Sequence, residues 1–187
     1  MFSPFDLSGL LFTYCESTST ELVVWGDILP SNVGGLRFSP LISSMVKIPI
    51  HIKGMIIGLI LSDASIIFAH PKVQNSRLTF QQSLIHFKYF WHVYTKLSHY
   101  CKSIPYFSNR VLKGKSFYIL GLATRSLPCF TELRNLFYLK GIKVIPYQIF
   151  ELLTPVALAH WICGDGTFSH GGLLLCTDSF TIPECVH

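Results

Sequence analysis

Charge is scarce in this chain: only 13% of its residues are Asp, Glu, Lys or Arg. Half are hydrophobic, 14% are aromatic, and the mean hydropathy is +0.44, a balance that raises the question of a membrane protein. Yet no run of 18 or more apolar residues occurs, and a helix spanning a bilayer needs about that many. The best candidate, 55–69, is interrupted by Ser62, Asp63 and Ser65, and the stretch 152–163 holds Pro155 and His160. The six cysteines form no CxxC pair and no regular metal-ligand spacing, so they read as reduced, buried small hydrophobes. The N-terminus lacks the basic region of a secretory signal and the arginine richness of a mitochondrial transit peptide. A mitochondrial location would therefore require synthesis inside the organelle.

Charge of each sign is also missing locally. No Lys or Arg follows Lys143, and between residues 70 and 143 the only acid is Glu132. Those 74 residues hold twelve of the fifteen Lys and Arg, a local balance of +11 within a chain of net +5. A surface with no partner ordinarily mixes signs, so this block points to a polyanion.

What is present is a short pattern, twice. Ile56–Ala64 reads IIGLILSDA and Leu158–Gly166 reads LAHWICGDG, with Asp63 and Asp165 lying 102 residues apart. Each acid ends a run that otherwise reads as buried. A carboxylate there is costly unless paired, and two such acids meeting could share a divalent cation. Small residues (Gly58 and Ser62 in the first copy, Ala159 and Gly164 in the second) would let two motif helices approach closely.

Around the motifs the chain has a readable order. Residues 1–46 are rich in Ser, Gly and Pro and read as an extended leader. Pro49 sets the start of a helix over 51–63. Ser65–Ala69 and Arg77–Gln81 read as a hairpin with the basic tip HPKVQNS, and Ser83–Cys101 recurs at helical spacing. Ser116–Thr124 is a further strand, with its partner in Ile104–Val111; Thr131–Leu139 reads as a helix closed by Gly141. Thr154-Pro155 opens the second motif helix, a Thr cap before proline, and Leu173–Thr177 reads as the opening strand of a second copy. Thr177-Asp178-Ser179 reads as a turn that caps a following helix. The expected class is α+β: an αββαββα unit with an antiparallel sheet open on one face, then an incomplete second copy. The domains are then 1–46, 47–148 and 149–187. His86, His92, His99 and His160 have no Glu or Cys at ligand spacing and read as core or surface.

Both motif copies resemble the name-giving motif of the LAGLIDADG homing endonucleases. The likeness continues in order through ELVVWG, LPSNVG, KGMIIGLILSDA, SLPCFTELRNLFY, KVIP, LLTPVALAHWICGDGT and LCTDSF, from about Glu21 to residue 182. It is similar to the two-motif, fungal mitochondrial, intron-encoded branch. The resemblance implies paired motif helices at the domain interface, with Asp63 and Asp165 ligating Mg²⁺ or Mn²⁺ and the backbone carbonyls of Ser62 and Gly164 assisting. Lys143, in the KVIP block, is the implied third catalytic group. The sheet would lie along the major groove of double-stranded DNA at a long asymmetric site. Candidate contacts are Arg77, Thr79 and Gln81, which share one strand face, and Lys113, Lys115 and Arg125.

The implied activity is site-specific double-strand cleavage in a mitochondrial setting, with no membrane or protein partner. The alternative is an RNA-binding maturase acting on its host intron, and a third reading is a fragment of a hydrophobic organellar membrane protein. The motifs depart from consensus at Leu61, Ala64, His160 and Cys163, none of them a metal-binding position. Only 21 residues follow Gly166, where the family pattern has a whole second unit. A C-terminally truncated member with impaired or lost cleavage is therefore expected.

Overall fold

A computed structural model describes residues 33–112 and 114–186 of the chain; most of the expected leader, with Cys15 and Lys113, lies outside the described residues. Two helices open it, α1 (Pro40–Met45) and α2 (Ile50–Leu61). Pro49 is the residue capping α2, as its fixed φ suits a helix entry. Then come β1 (Ser65–Phe68), β2 (Ser76–Ser83), α3 (Phe87–Leu97), β3 (Tyr106–Leu112), β4 (Lys115–Ala123) and α4 (Pro128–Phe137). From α2 to α4 the order is the expected αββαββα.

The four strands form one antiparallel sheet in the order β1-β2-β4-β3. Its inner face meets the helices through Ile66, Leu78, Phe80 and Leu122, which are buried against Phe90, Leu97, Phe130 and Phe137. Phe80 stacks on Phe90 at 5.8 Å between ring centroids. The period-two pattern of β2 fixes its register: Ser76, Leu78 and Phe80 are buried while Arg77, Thr79 and Gln81 alternate on the other side. The sequence 83–101 is not one helix; α3 is flanked by single 3-10 turns at Leu84–His86 and Ser98–Tyr100.

After α4 the chain departs from expectation. The helix starts earlier, at Pro128, and ends at Phe137; Gly141 does not cap it but turns a two-residue hairpin, β5 (Tyr138–Leu139) and β6 (Ile142–Lys143). Lys140 and Gly141 both take positive φ, 51° and 86°, which a tight hairpin turn demands. A short α5 (Ile149–Leu152) leads to α6 (Pro155–Asp165), whose Thr154 Oγ1 accepts from Ala157 N at 3.2 Å. The strand following α6 is β7 (Gly166–Ser169), paired with β8 (Gly172–Leu175). The expected opening strand at Leu173–Thr177 is thus the second of a pair, because the chain enters extended structure directly at Gly166. The last helix, α7 (Ile182–Cys185), is capped by Thr181 and Glu184 rather than by Thr177-Asp178-Ser179.

Cys101 and Cys129 are buried as expected, but Cys163, Cys176 and Cys185 are exposed, and all five are free thiols. Among the described residues no helix is long and apolar enough to cross a membrane.

Candidate functional site

The site is built by the crossing of α2 and α6. A Cβ on Gly58 would collide with the carbonyl oxygen of Ala157 and lie 2.7 Å from His160 Cβ. One on Gly164 would sit 2.5 Å from both Ser62 Cβ and Ser62 Oγ. Gly58, Ser62 and Gly164 therefore work as the sequence suggested. Ala159 does not: it faces solvent, and Ala157, two residues earlier, is the small residue buried against α2.

This close approach carries both motif carboxylates to the same end of the pair. They arrive differently. Asp165 is the last residue of α6, whereas α2 stops at Leu61 and Asp63 occupies the turn beyond it. Ser62 breaks the helix at φ −104°, ψ −115°, and Ala64 N donates back to Leu59 O at 2.7 Å. Asp63 Oδ2 lies 3.2 Å from where a Gly164 Cβ would be.

Lys143 closes the site from below. Its Nζ donates to the carbonyls of Ile60 at 2.7 Å, Ala64 at 3.1 Å and Ser62 at 3.3 Å. The carbonyls of Ile60 and Ser62 belong to the end of α2, where a helix leaves such groups without partners, and the ammonium also answers the negative pole there. The charge balance is tight. Burial, opposed by Lys143 and His86, holds the Asp63 carboxyl above its usual range. Burial and the neighbouring Asp63 charge together raise that of Asp165, while Lys143 opposes them. Burial depresses the Lys143 ammonium, and both aspartates oppose that loss. Two acids and one lysine thus act on one another, and the acids repel.

One residue of this site escaped the sequence reading. Gln82 Nε2 donates to Asp63 Oδ2 at 2.7 Å, which orients that carboxylate. Its signal was available: Gln82 continues the inward register of Leu78 and Phe80, where an amide needs a polar partner. Tyr89 is a further neighbour, its hydroxyl 3.0 Å from His160 Nδ1. Burial raises the Tyr89 phenol first, followed by the Cys163 and Asp63 charges, while burial and then His92 lower the His160 imidazole.

The sheet's outer face holds part of the expected nucleic-acid set. Arg77, Thr79 and Gln81 do share it. Thr79 Oγ1 donates to Ser65 O at 3.1 Å, and Gln81 is held between Tyr106 (Nε2 to Oη, 2.6 Å) and Arg110 (Nη2 to Oε1, 3.1 Å). Arg110, on β3, was not among the candidates, although Tyr106, Ser108 and Arg110 alternate as an exposed strand face should. Lys115 opens β4. Arg125 is set apart from them: it is buried, its Nη2 donates to Gly35 O at 3.1 Å, and its guanidinium lies 4.4 Å over the Phe38 ring. It ties the 33–40 segment to the body, so the structure does not bring it to the sheet face.

A mixed α/β fold with one open antiparallel sheet and two helices delivering acids to a common end is the architecture of a homing endonuclease. The solved structure of the homing endonuclease I-WcaI bound to its DNA recognition sequence superposes with a TM-score of 0.68 at 21% identity, covering 75% of this chain and 65% of that one. Residues 53–187 match the LAGLIDADG DNA endonuclease family, and the chain belongs to it. Among curated relatives, cytochrome b mRNA maturase bI2 of Debaryomyces hansenii is 33% identical over 136 residues, 70% of this chain and 51% of that protein. The protein of the same name from Saccharomyces cerevisiae is 31% identical over 121 residues, 59% of this chain and 29% of that protein. Intron-encoded endonuclease ai4 of Dictyostelium discoideum is 35% identical over 71 residues, 37% of this chain and 45% of that protein. The chain thus spans about half or less of the curated relatives it matches.

Proposed function

We propose that this protein belongs to a metal-dependent, site-specific endonuclease of double-stranded DNA, with Asp63, Asp165 and Lys143 as its reactive centre. The observation that carries the reading is the convergence of two carboxylates, each held above its ordinary pKa, at one end of the α2–α6 pair. Such a pair is relieved by a cation. The donors are all oxygen, which suits Mg²⁺ or Mn²⁺ better than softer metals. Asp63 keeps one carboxylate oxygen beyond the one given to Gln82. The Ser62 carbonyl already accepts from Lys143 and has a second lone pair to offer; Gly164 packs on the Ser62 side chain beside Asp63. Among the described residues no three His, Cys, Asp or Glu side chains converge, so carbonyls, water and substrate phosphate would complete the shell.

A divalent cation there would supply positive charge to the scissile phosphate and its leaving oxygen. The chain's own residues prepare the ground. Gln82 fixes the rotamer of Asp63, the α2–α6 contact fixes the spacing of the acids, and Lys143 adds a cation at the same end. The outer sheet face, with Arg77, Thr79, Gln81 and Arg110, would face the major groove; Lys113 and Lys115 belong to the same proposal. Residues 47–148 form the first unit in this reading, and 149–187 begin the second. The proposed location is mitochondrial, the setting that the resemblance to the fungal intron-encoded branch implies.

Incubation with a randomised duplex library in Mg²⁺, with break ends mapped by sequencing, tests this. Cutting at one class of site is expected, reduced about a hundredfold or more by Asp63→Asn or Asp165→Asn. Unchanged cutting by either variant would sink the assignment of the acids.

A second reading is supported by the two relatives named as mRNA maturases. In it the same fold binds host intron RNA and assists splicing, which would survive Asp63→Asn with Asp165→Asn.

A further inference from the structure

At the far end of β2 from Asp63 the chain forms a recess of about 960 Å³. Arg77, at its wall, and Gln82, beside Asp63, are five residues apart on one strand, about 17 Å. Arg37, Lys72, Arg77, Lys102 and Arg125 line it, and among the described residues that do so none is acidic. A third of the chain's fifteen Lys and Arg therefore converge on one cavity. Like charges gathered this way repel, and the gathering is relieved by an anion. Arg125 is a fixed cation on the floor, pinned by Gly35 and Phe38. Arg37, Lys72 and Lys102 are exposed around it and free to meet a ligand.

We propose that this recess is a second nucleic-acid site, which takes the phosphate backbone of a single-stranded RNA segment. The shape decides between strand and duplex. The recess is bounded mainly by the β1–β2 loop, the turn at 102–103, the 37–43 segment and residues 124–127; the sheet adds only the ends of β2 and β4, at Arg77 and Ala123. A duplex is a stiff rod that lies along a flat sheet but does not enter a loop-walled cavity. A single strand bends into one, and basic recesses follow its backbone. The cavity is also at the upper end of the roughly 300–1,000 Å³ typical of pockets that enclose small ligands. The inference deepens the maturase reading and rests on it, because it names the surface that intron RNA would use. It separates that surface from the carboxylate pair, and Arg77 is the residue it shares with the open sheet face.

Binding of a labelled mixed-sequence single-stranded RNA and of a labelled DNA duplex, both followed by anisotropy in EDTA, tests the proposal without cleavage. The triple variant Arg37→Gln, Lys72→Gln, Lys102→Gln should lose RNA affinity about tenfold, with the slope of log K on log salt falling by about 2. Its duplex affinity should change less than about twofold. Lys72→Arg with Lys102→Arg, which keeps both charges, should bind RNA as the parent does. Parental RNA affinity in the triple variant would overturn the assignment. So would an equal loss for duplex and strand, which would make the recess an outlying part of the duplex footprint. RNA bound through the recess without any assistance to splicing would leave the site in place and contradict the maturase reading alone.

Discussion

The two motif helices differ more than their sequences do. In α2 nine residues are buried, from Ile52 to Leu61, whereas α6 buries only Ala157 and Trp161. Both are largely apolar, and Leu158 of α6 stands where α2 has Ile56. The difference is what covers them. The first unit wraps α2 with a four-stranded sheet and two further helices, while α6 is followed by the two-stranded β7–β8, whose Phe168, Leu173 and Leu174 are exposed. The motif thus specifies a helix–helix contact and the position of an acid. Burial of the remaining surface depends on the elements around it, and so does the electrostatic setting. Burial is the largest influence on both acids, but the next differs: Lys143 opposes it at Asp63, while the Asp63 charge adds to it at Asp165.

The two helices should differ most in the core. Leu59→Ala, in a fully buried position, should cost about 3–4 kcal/mol, while Leu158→Ala on the exposed side of α6 should cost about 0.5 kcal/mol or less. Denaturant midpoints of the two variants would show it, and similar costs would mean that α6 is as enclosed as α2. Next comes the crossing itself. Gly58→Val drives a side chain into the Ala157 carbonyl and should cost about 3 kcal/mol. Gly172→Ala, in β8, meets nothing nearer than Ser169 O at 3.8 Å and should leave the midpoint almost unmoved.

The smallest effect is electrostatic and sharpens the contrast between the acids. Both carboxyls are raised above the ordinary 3.8, so the folded state holds protons that the unfolded state has released. Stability from these groups is therefore greatest below that value and falls as pH rises through the raised range. Asp63→Asn with Asp165→Asn should melt higher than the parent at neutral pH, with the gap closing well below pH 3.8. A double variant that melts lower at neutral pH would show that the acids stabilise the crossing.

Much of this architecture could be read before any coordinates. Strand alternation gave β2, helical spacing gave α3, and Thr154-Pro155 placed the start of α6, because each is a local signal. The misses are non-local. Gly141 carries the same signal for a helix cap and a hairpin turn; only pairing of Tyr138 with Lys143 decides between them. Asp63 lies beyond its helix because Lys143, eighty residues away in sequence, takes the carbonyls of Ile60, Ser62 and Ala64. Ala157 rather than Ala159 meets Gly58 because the crossing geometry, not residue size, selects the contact. Arg125 has the charge of a DNA contact, but its partners, Gly35 and Phe38, lie about ninety residues upstream.

Asp63 and Asp165 are proposed to form one cation site. Titration of Mn²⁺ into the chain with duplex DNA present, followed by electron paramagnetic resonance, tests it most directly. With the parent the free-ion signal should fall beyond the loss that the duplex alone causes, and this extra quenching should vanish in Asp63→Asn and in Asp165→Asn alike. Extra quenching that persists in both single variants would place the cation elsewhere and overturn the pairing of the two acids.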